Sequence, residues 1–182
     1  MTSPIHTRIL AGLVGLVLAG GATTACAGDP APEPTKTPAF ASEEEAFAAA
    51  EATYRLYNEA VNSGDLADPT TFETVYELST GDVQSSVKET LSEFHAEGLT
   101  DSVKTNSLSF TPEKATLDPV RIDALVCTDV SKVEAHDSSG KSVIASSRPD
   151  TQALQVGFER GDSPTGLILA SSVAAEGSSC DR

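Results

Sequence analysis

Near residue 100 the hydrophobic period of this chain changes, and that change constrains the fold more than any other feature. Upstream, apolar residues recur every three or four positions; downstream, β-branched residues alternate with polar ones between turn signals. Helices first and strands second describe an α+β domain: N-terminal helices packed on one face of a curved antiparallel sheet.

The helical half opens at Ser42-Glu43-Glu44-Glu45. Ser42 followed three residues later by Glu45 is a capping box, and three acids suit the positive end of a helix. Phe47, Ala50, Tyr54, Tyr57 and Val61 then mark one face. The spacing predicts a helix over about 43–62, ended at Asn62-Ser63-Gly64 with Gly64 as a left-handed cap. Asp68-Pro69 starts a second helical stretch, with Asp68 as cap and Pro69 in the first turn. Phe72, Val75 and Tyr76 share its inner face. Ser79-Thr80-Gly81 interrupts it, and Val83, Val87, Leu91 and Phe94 carry the stripe on to Gly98.

In the second half, strands are expected at about 103–110, 119–129, 132–137, 142–147, 151–160 and 166–174. Hairpin turns are expected at Asp137-Ser138-Ser139-Gly140 and Gly161-Asp162-Ser163-Pro164. Adjacent pieces, notably 119–137, also read as one long bent strand, so the sheet has about four to six strands. Strand parity sends Val120, Ile122, Ala124, Val126, Thr128 and Val130 toward the helices. Arg121, Asp123, Leu125, Cys127 and Asp129 then face outward, with Cys127 partly solvated.

The N-terminus reads as an address. Arg8 is followed by a continuous apolar run, Ile9–Ala19, and then by small residues to Ala25. That order is a secretory signal peptide over 1–25. The run is shorter than the ~20 residues of a spanning helix. Thr23-Thr24-Ala25-Cys26 resembles a bacterial lipobox, with Thr23 standing where that motif usually has Leu. The resemblance implies cleavage before Cys26 and a diacylglycerol thioether on its sulfur. Ala25-Cys26-Ala27 also fits an ordinary signal-peptidase site, which would release the protein without lipid. Residues 26–41 form a Pro-rich tether, with prolines at 30, 32, 34 and 38. Extended at ~3.1 Å per residue, it would hold the domain up to roughly 40 Å from the lipid. Residues 42–182 then form a single α+β domain.

Three cysteines become two once Cys26 is lipidated or removed. In an oxidising compartment Cys127 and Cys180 are expected to pair as a disulfide, pinning the C-terminal tail across the outer sheet face. Zinc is the rival, but His95 and His136 show no ligand spacing and more ligands would be needed. His95 lies where a helix C-terminus favours a histidine, and His136 precedes a turn. The formal net charge of −15 argues against nucleic-acid binding and against membrane attachment through a basic patch.

One stretch carries a family resemblance. Val126-Cys127-Thr128-Asp129-Val130-Ser131-Lys132-Val133, followed by Asp137-Ser138-Ser139-Gly140-Lys141-Ser142-Val143 and a late Cys180, is similar to small secreted lipoproteins of the actinobacterial type. Domains of that group resemble the nuclear transport factor 2-like (cystatin-like) fold, a cone of sheet and helices. Gly166-Leu167-Ile168-Leu169 stands where an aromatic, usually Trp, is common. The resemblance implies a fold and an address but no reaction. It also implies where a site would lie: a pocket between sheet and helices, approached by Tyr54, Tyr57 and Tyr76. A buried Tyr beside a carboxylate can move a proton, but all three tyrosines also have the spacing of core residues. No nucleophile elbow, P-loop, dinucleotide fingerprint or calcium loop occurs.

The sequence therefore predicts a non-enzymatic, lipid-anchored envelope protein on the outer face of a bacterial cytoplasmic membrane. Its partners are the membrane, through Cys26, and a protein or small molecule, with no cofactor and no metal. The alternatives are an isomerase- or hydrolase-like enzyme using the pocket, and a phage-type surface lipoprotein that blocks an uptake site.

Overall fold

The computed structural model describes residues 39–100, 104–178 and 180. The signal run, Cys26 and the tether up to residue 38 lie outside the described residues. Within them the class is α+β, with helices α1 (Glu43–Ser63), α2 (Glu73–Glu77) and α3 (Gly81–Ala96) preceding the sheet. Strands β1 (Asn106–Leu117), β2 (Val120–Asp129), β3 (Thr151–Arg160) and β4 (Leu167–Ala174) pair antiparallel in chain order.

Helix α1 begins as its sequence dictates. Ser42 Oγ accepts the Glu45 N–H at 3.1 Å, while Glu45 Oε2 reaches back to the Ala41 N–H at 2.7 Å. The helix lies on the sheet through Ala46, Ala50, Thr53 and Tyr54. Two alanines one turn apart let the helix axis come close to the strands. Thr53 is fully buried, and its hydroxyl is satisfied by the Ala49 carbonyl at 2.8 Å and by Thr165 Oγ1 at 2.5 Å. That second bond ties mid-α1 to the β3–β4 turn.

The end of α1 differs from expectation. Gly64 is extended (φ −71°, ψ 151°), not left-handed. Its need for glycine is steric: a Cβ there would sit inside the Phe72 ring. Phe72 ends a 3₁₀ turn, Pro69–Phe72, whose cap is Asp68 as expected, with Oδ1 accepting the Thr70 N–H at 3.1 Å.

The break at Ser79-Thr80 has a purpose in the sheet. Thr80 N–H donates to the Leu169 carbonyl and Leu169 N–H to the Leu78 carbonyl, both at 2.9 Å. The break thus covers part of the open edge of β4, a place where unpaired backbone would otherwise invite another strand. Gly81 then restarts the chain at φ +55°, a backbone that favours glycine.

The parity of β2 is as predicted. Val120, Ile122, Ala124, Val126 and Thr128 are buried, and Arg121 and Asp123 are exposed. Val120, Ile122, Ala124 and Val126 meet Phe158 and Val156 of β3 and Leu167 and Leu169 of β4 in one core under α1. Each such side chain, fully buried, stabilises by ~1.5–3 kcal/mol.

Three expectations need correction. The first strand runs past residue 110 to Leu117, because Pro112 is tolerated on an edge strand whose register shifts beside it. A two-residue link then leads into β2, with a cis Asp118–Pro119 bond. The segments 132–137 and 142–147 are not strands. They meet each other and Thr100 only through isolated bridges at His136, and β2 pairs directly with β3 from Asp129↔Thr151 onward, so neither segment joins the sheet. Residues 130–150 instead form a long loop closed by Val130 N–H to the Asp150 carbonyl at 2.8 Å. Arg148 braces it from inside through the Val130 carbonyl at 2.7 Å, and Asp137–Gly140 makes the expected turn, with the Gly140 N–H on the Asp137 carbonyl at 2.8 Å. Finally, Cys127 is buried rather than partly solvated, because its partner covers it.

Candidate functional site

That partner is Cys180: the two sulfurs are bonded, with Cα atoms 5.6 Å apart. After β4 the chain passes the Ala175 N–H to the Ala153 carbonyl at 2.9 Å, then crosses β3 to reach Cys127 on β2. The rest of the outer sheet face is largely polar, with Leu125, Ile168 and Val173 as its apolar members. Arg121 pairs with Glu159 at 2.9 Å, Lys114 stands opposite Asp123, and Gln155 donates to Glu113 at 2.5 Å. Such exposed pairs add little to stability.

The three tyrosines do not converge. Tyr54 is buried over the sheet and borders a small cleft of about 140 Å³ between α1 and β1. Tyr57 lies 6.4 Å from it, centroid to centroid, but opens into a groove between α1 and α3. Tyr76, on α2, lies under the Lys88 ammonium at 5.0 Å. Burial raises all three phenols. Tyr57 is pushed up to about 12, Tyr54 is raised further by its neighbour Tyr57, and Tyr76 is raised with help from Glu73. Phenols held protonated this firmly are poor bases at neutral pH.

The histidines take separate structural places. His95 Nδ1 is 3.1 Å from the Leu66 carbonyl, which ties the end of α3 to the loop after α1. His136 joins Thr100 and Ser142 through backbone bridges. Among the described residues, no three of His, Cys, Asp and Glu come together to hold a metal. Asp137 is held below the usual carboxylate range by the Ser139 hydroxyl and by the Lys141 and Ser139 N–H groups, as a turn-forming Asp would be.

Two clefts flank the helices. One, of about 400 Å³, lies between α1, the 3₁₀–α2 segment and the β3–β4 turn, with Leu56, Ala60, Leu78 and Pro164 among its lining and Glu59, Glu77 and Asp162 beside them. The other, of about 250 Å³, is the α1–α3 groove, lined by Tyr57, Val61, Phe72, Val87, Leu91 and Phe94, with Ser86 and Thr90 on one flank. Sequence spacing identified its residues as an inner helix face. It carried no sign that Tyr57, Val61, Val87, Leu91 and Phe94 would stay only partly buried.

No protein-family model and no curated protein matches this sequence. Among solved structures, the intermembrane-space region of the chloroplast protein ARC6 is similar over 69% of this chain and 92% of its own, at 13% identity and a TM-score of 0.46. The VirB8 protein of Agrobacterium tumefaciens is similar over 78% of this chain and 99% of its own, at 16% identity and a TM-score of 0.38. A de novo designed β-sheet protein covers 76% of the chain at 14% identity and a TM-score of 0.28. No helix among the described residues is long and apolar enough to cross a membrane.

Proposed function

We propose that this protein is an exported, lipid-anchored envelope domain that binds another molecule and performs no catalysis. The observation that carries export is the Cys127–Cys180 bridge, since such a bond persists in oxidising compartments. It stands with the secretory order of residues 1–25 and with Cys26 after small residues. The helices-then-meander order supports a nuclear transport factor 2-like reading of the fold. The dispersal of Tyr54, Tyr57 and Tyr76, with their protons firmly held, supports binding over proton transfer.

The test is the intact mass of protein extracted from membranes. The expected species begins at Cys26 and carries acyl chains; two or more chains give stable anchoring where one does not. An unmodified chain beginning at Gly28, found in the medium, refutes the anchor and leaves a secreted domain.

A further inference from the structure

We infer that the α1–α3 groove receives an amphipathic helix whose flank carries Lys or Arg. The inference rests on the binding-module reading above and names its site and partner class. The groove wall on α3 is Val87, Leu91 and Phe94, at i, i+4 and i+7, which run about 10 Å along the helix at ~1.5 Å per residue. That is the length and spacing of a two-turn helical contact. Tyr57 and Val61 form the facing wall, again one turn apart. These side chains stay partly open to water although they continue a buried cluster formed by Leu66, Phe72, Val75 and Leu99.

Charge selects the partner. On α3 the flank marked by Ser86 and Thr90 leads to Glu93, three residues beyond Thr90, and Glu97 follows one turn later. Both are exposed, so negative charge borders the apolar groove on that flank. The one lysine of α3, Lys88, is turned to the opposite flank, over the Tyr76 ring and against Gln84 at 3.2 Å. On the α1 side Lys104 donates to the Asn62 carbonyl at 3.1 Å. Glu93 and Glu97 thus set negative charge along the α3 flank, which orients the partner's basic flank toward α3. The −15 net charge of the chain draws such a partner in from a distance.

The experiment uses the full exported chain with Cys26→Ser, so that no detergent competes for an amphipathic probe. The probe is a synthetic helix of about four turns with Leu at i, i+4 and i+7 and Lys along one flank; a Glu-flanked version is the control. The Lys probe is expected to bind, with amide shifts centred on Tyr57, Val61, Val87, Leu91 and Phe94. Leu91→Ser weakens binding about tenfold, as does loss of a buried anchor elsewhere. Glu93→Lys with Glu97→Lys, both exposed and harmless to folding, weakens it about fivefold and flattens its salt dependence. Equal binding of both probes, shifts away from the groove, or no binding overturns the inference. So does self-association abolished by Leu91→Ser, which would seat a second copy there, or a co-purifying fatty acid displaced from the groove. Acylated natural protein together with a Cys26→Ser chain that ignores the probe sinks only this inference; unacylated natural protein together with a Cys26→Ser chain that binds it sinks only the anchor.

Discussion

The molecule has two hydrophobic clusters built from similar residues and treated differently. The first lies between α1 and the sheet, where Ile122, Ala124, Val126, Phe158 and Leu167 have almost no exposed surface. The second lies among α1, the 3₁₀ turn, α2 and α3, and its rim of Val61, Leu91 and Phe94 stays partly open. The sheet closes the first because alternating strand residues form a continuous floor against which a helix can seal. Helices meeting only helices leave a furrow wherever a third partner is missing. Tyr57 and Val87 touch both clusters, so occupancy of the furrow has a direct route to the core.

The sharpest way to break this comparison is one substitution made in both places. Phe158→Ala in the closed core is expected to cost about 3–5 kcal/mol, read from urea unfolding. Removing the disulfide, by Cys127→Ala with Cys180→Ala, comes next at about 2–4 kcal/mol. A negligible change there would mean that the tail contributes nothing to closing the sheet's outer face.

Alkaline titration probes the boundary between the clusters. Burial holds the Tyr57 proton up to about 12 against an ordinary 10, and raises Tyr54 as well. The folded state therefore keeps protons that the unfolded chain has already lost. The stability involved is complete below pH 10 and is lost as pH rises toward 12. For Tyr57 alone it is worth roughly 2–3 kcal/mol. Phenolate absorbance should appear together with unfolding. Reversible titration of these residues near 10 with the fold intact would show that they are not enclosed.

Phe94→Ala, in the open cluster, is expected to cost only about 1–2 kcal/mol, because part of its surface is already in water. A cost equal to that of Phe158→Ala would erase the distinction between the two regions. Smallest of all, Ser42→Ala should remove about 1 kcal/mol by leaving the Glu45 N–H without its cap. That loss should be the same with or without a ligand in the groove.

Much of the scaffold was legible because it is local. The Ser42–Glu45 cap, the α1 stripe, the Asp68-Pro69 start, the interruption at Ser79-Thr80 and the facing of β2 each depend on residues a few positions apart. The Cys127–Cys180 bond followed from counting cysteines, although its burial of Cys127 did not. The misses involved competition between distant groups. Residues 132–137 and 142–147 have strand-like texture, yet they meet only in isolated bridges at His136 and stay outside the four-stranded sheet. Gly64 has the position of a left-handed cap, yet the Phe72 ring decides what it is for.

The sequence by itself determined the period of each segment, the caps and breaks between them and the pairing of the sulfurs. The periods, caps and breaks are set by backbone and side-chain preferences that act over one or two turns, the sulfur pairing by the number of cysteines left in an oxidising compartment. Only the tertiary structure decided that three tyrosines on neighbouring helices would part company, and that one apolar stripe would be sealed while another stayed open. A helical stripe records that a face avoids water; whether anything in the same chain is left to cover it depends on how the other elements spend theirs.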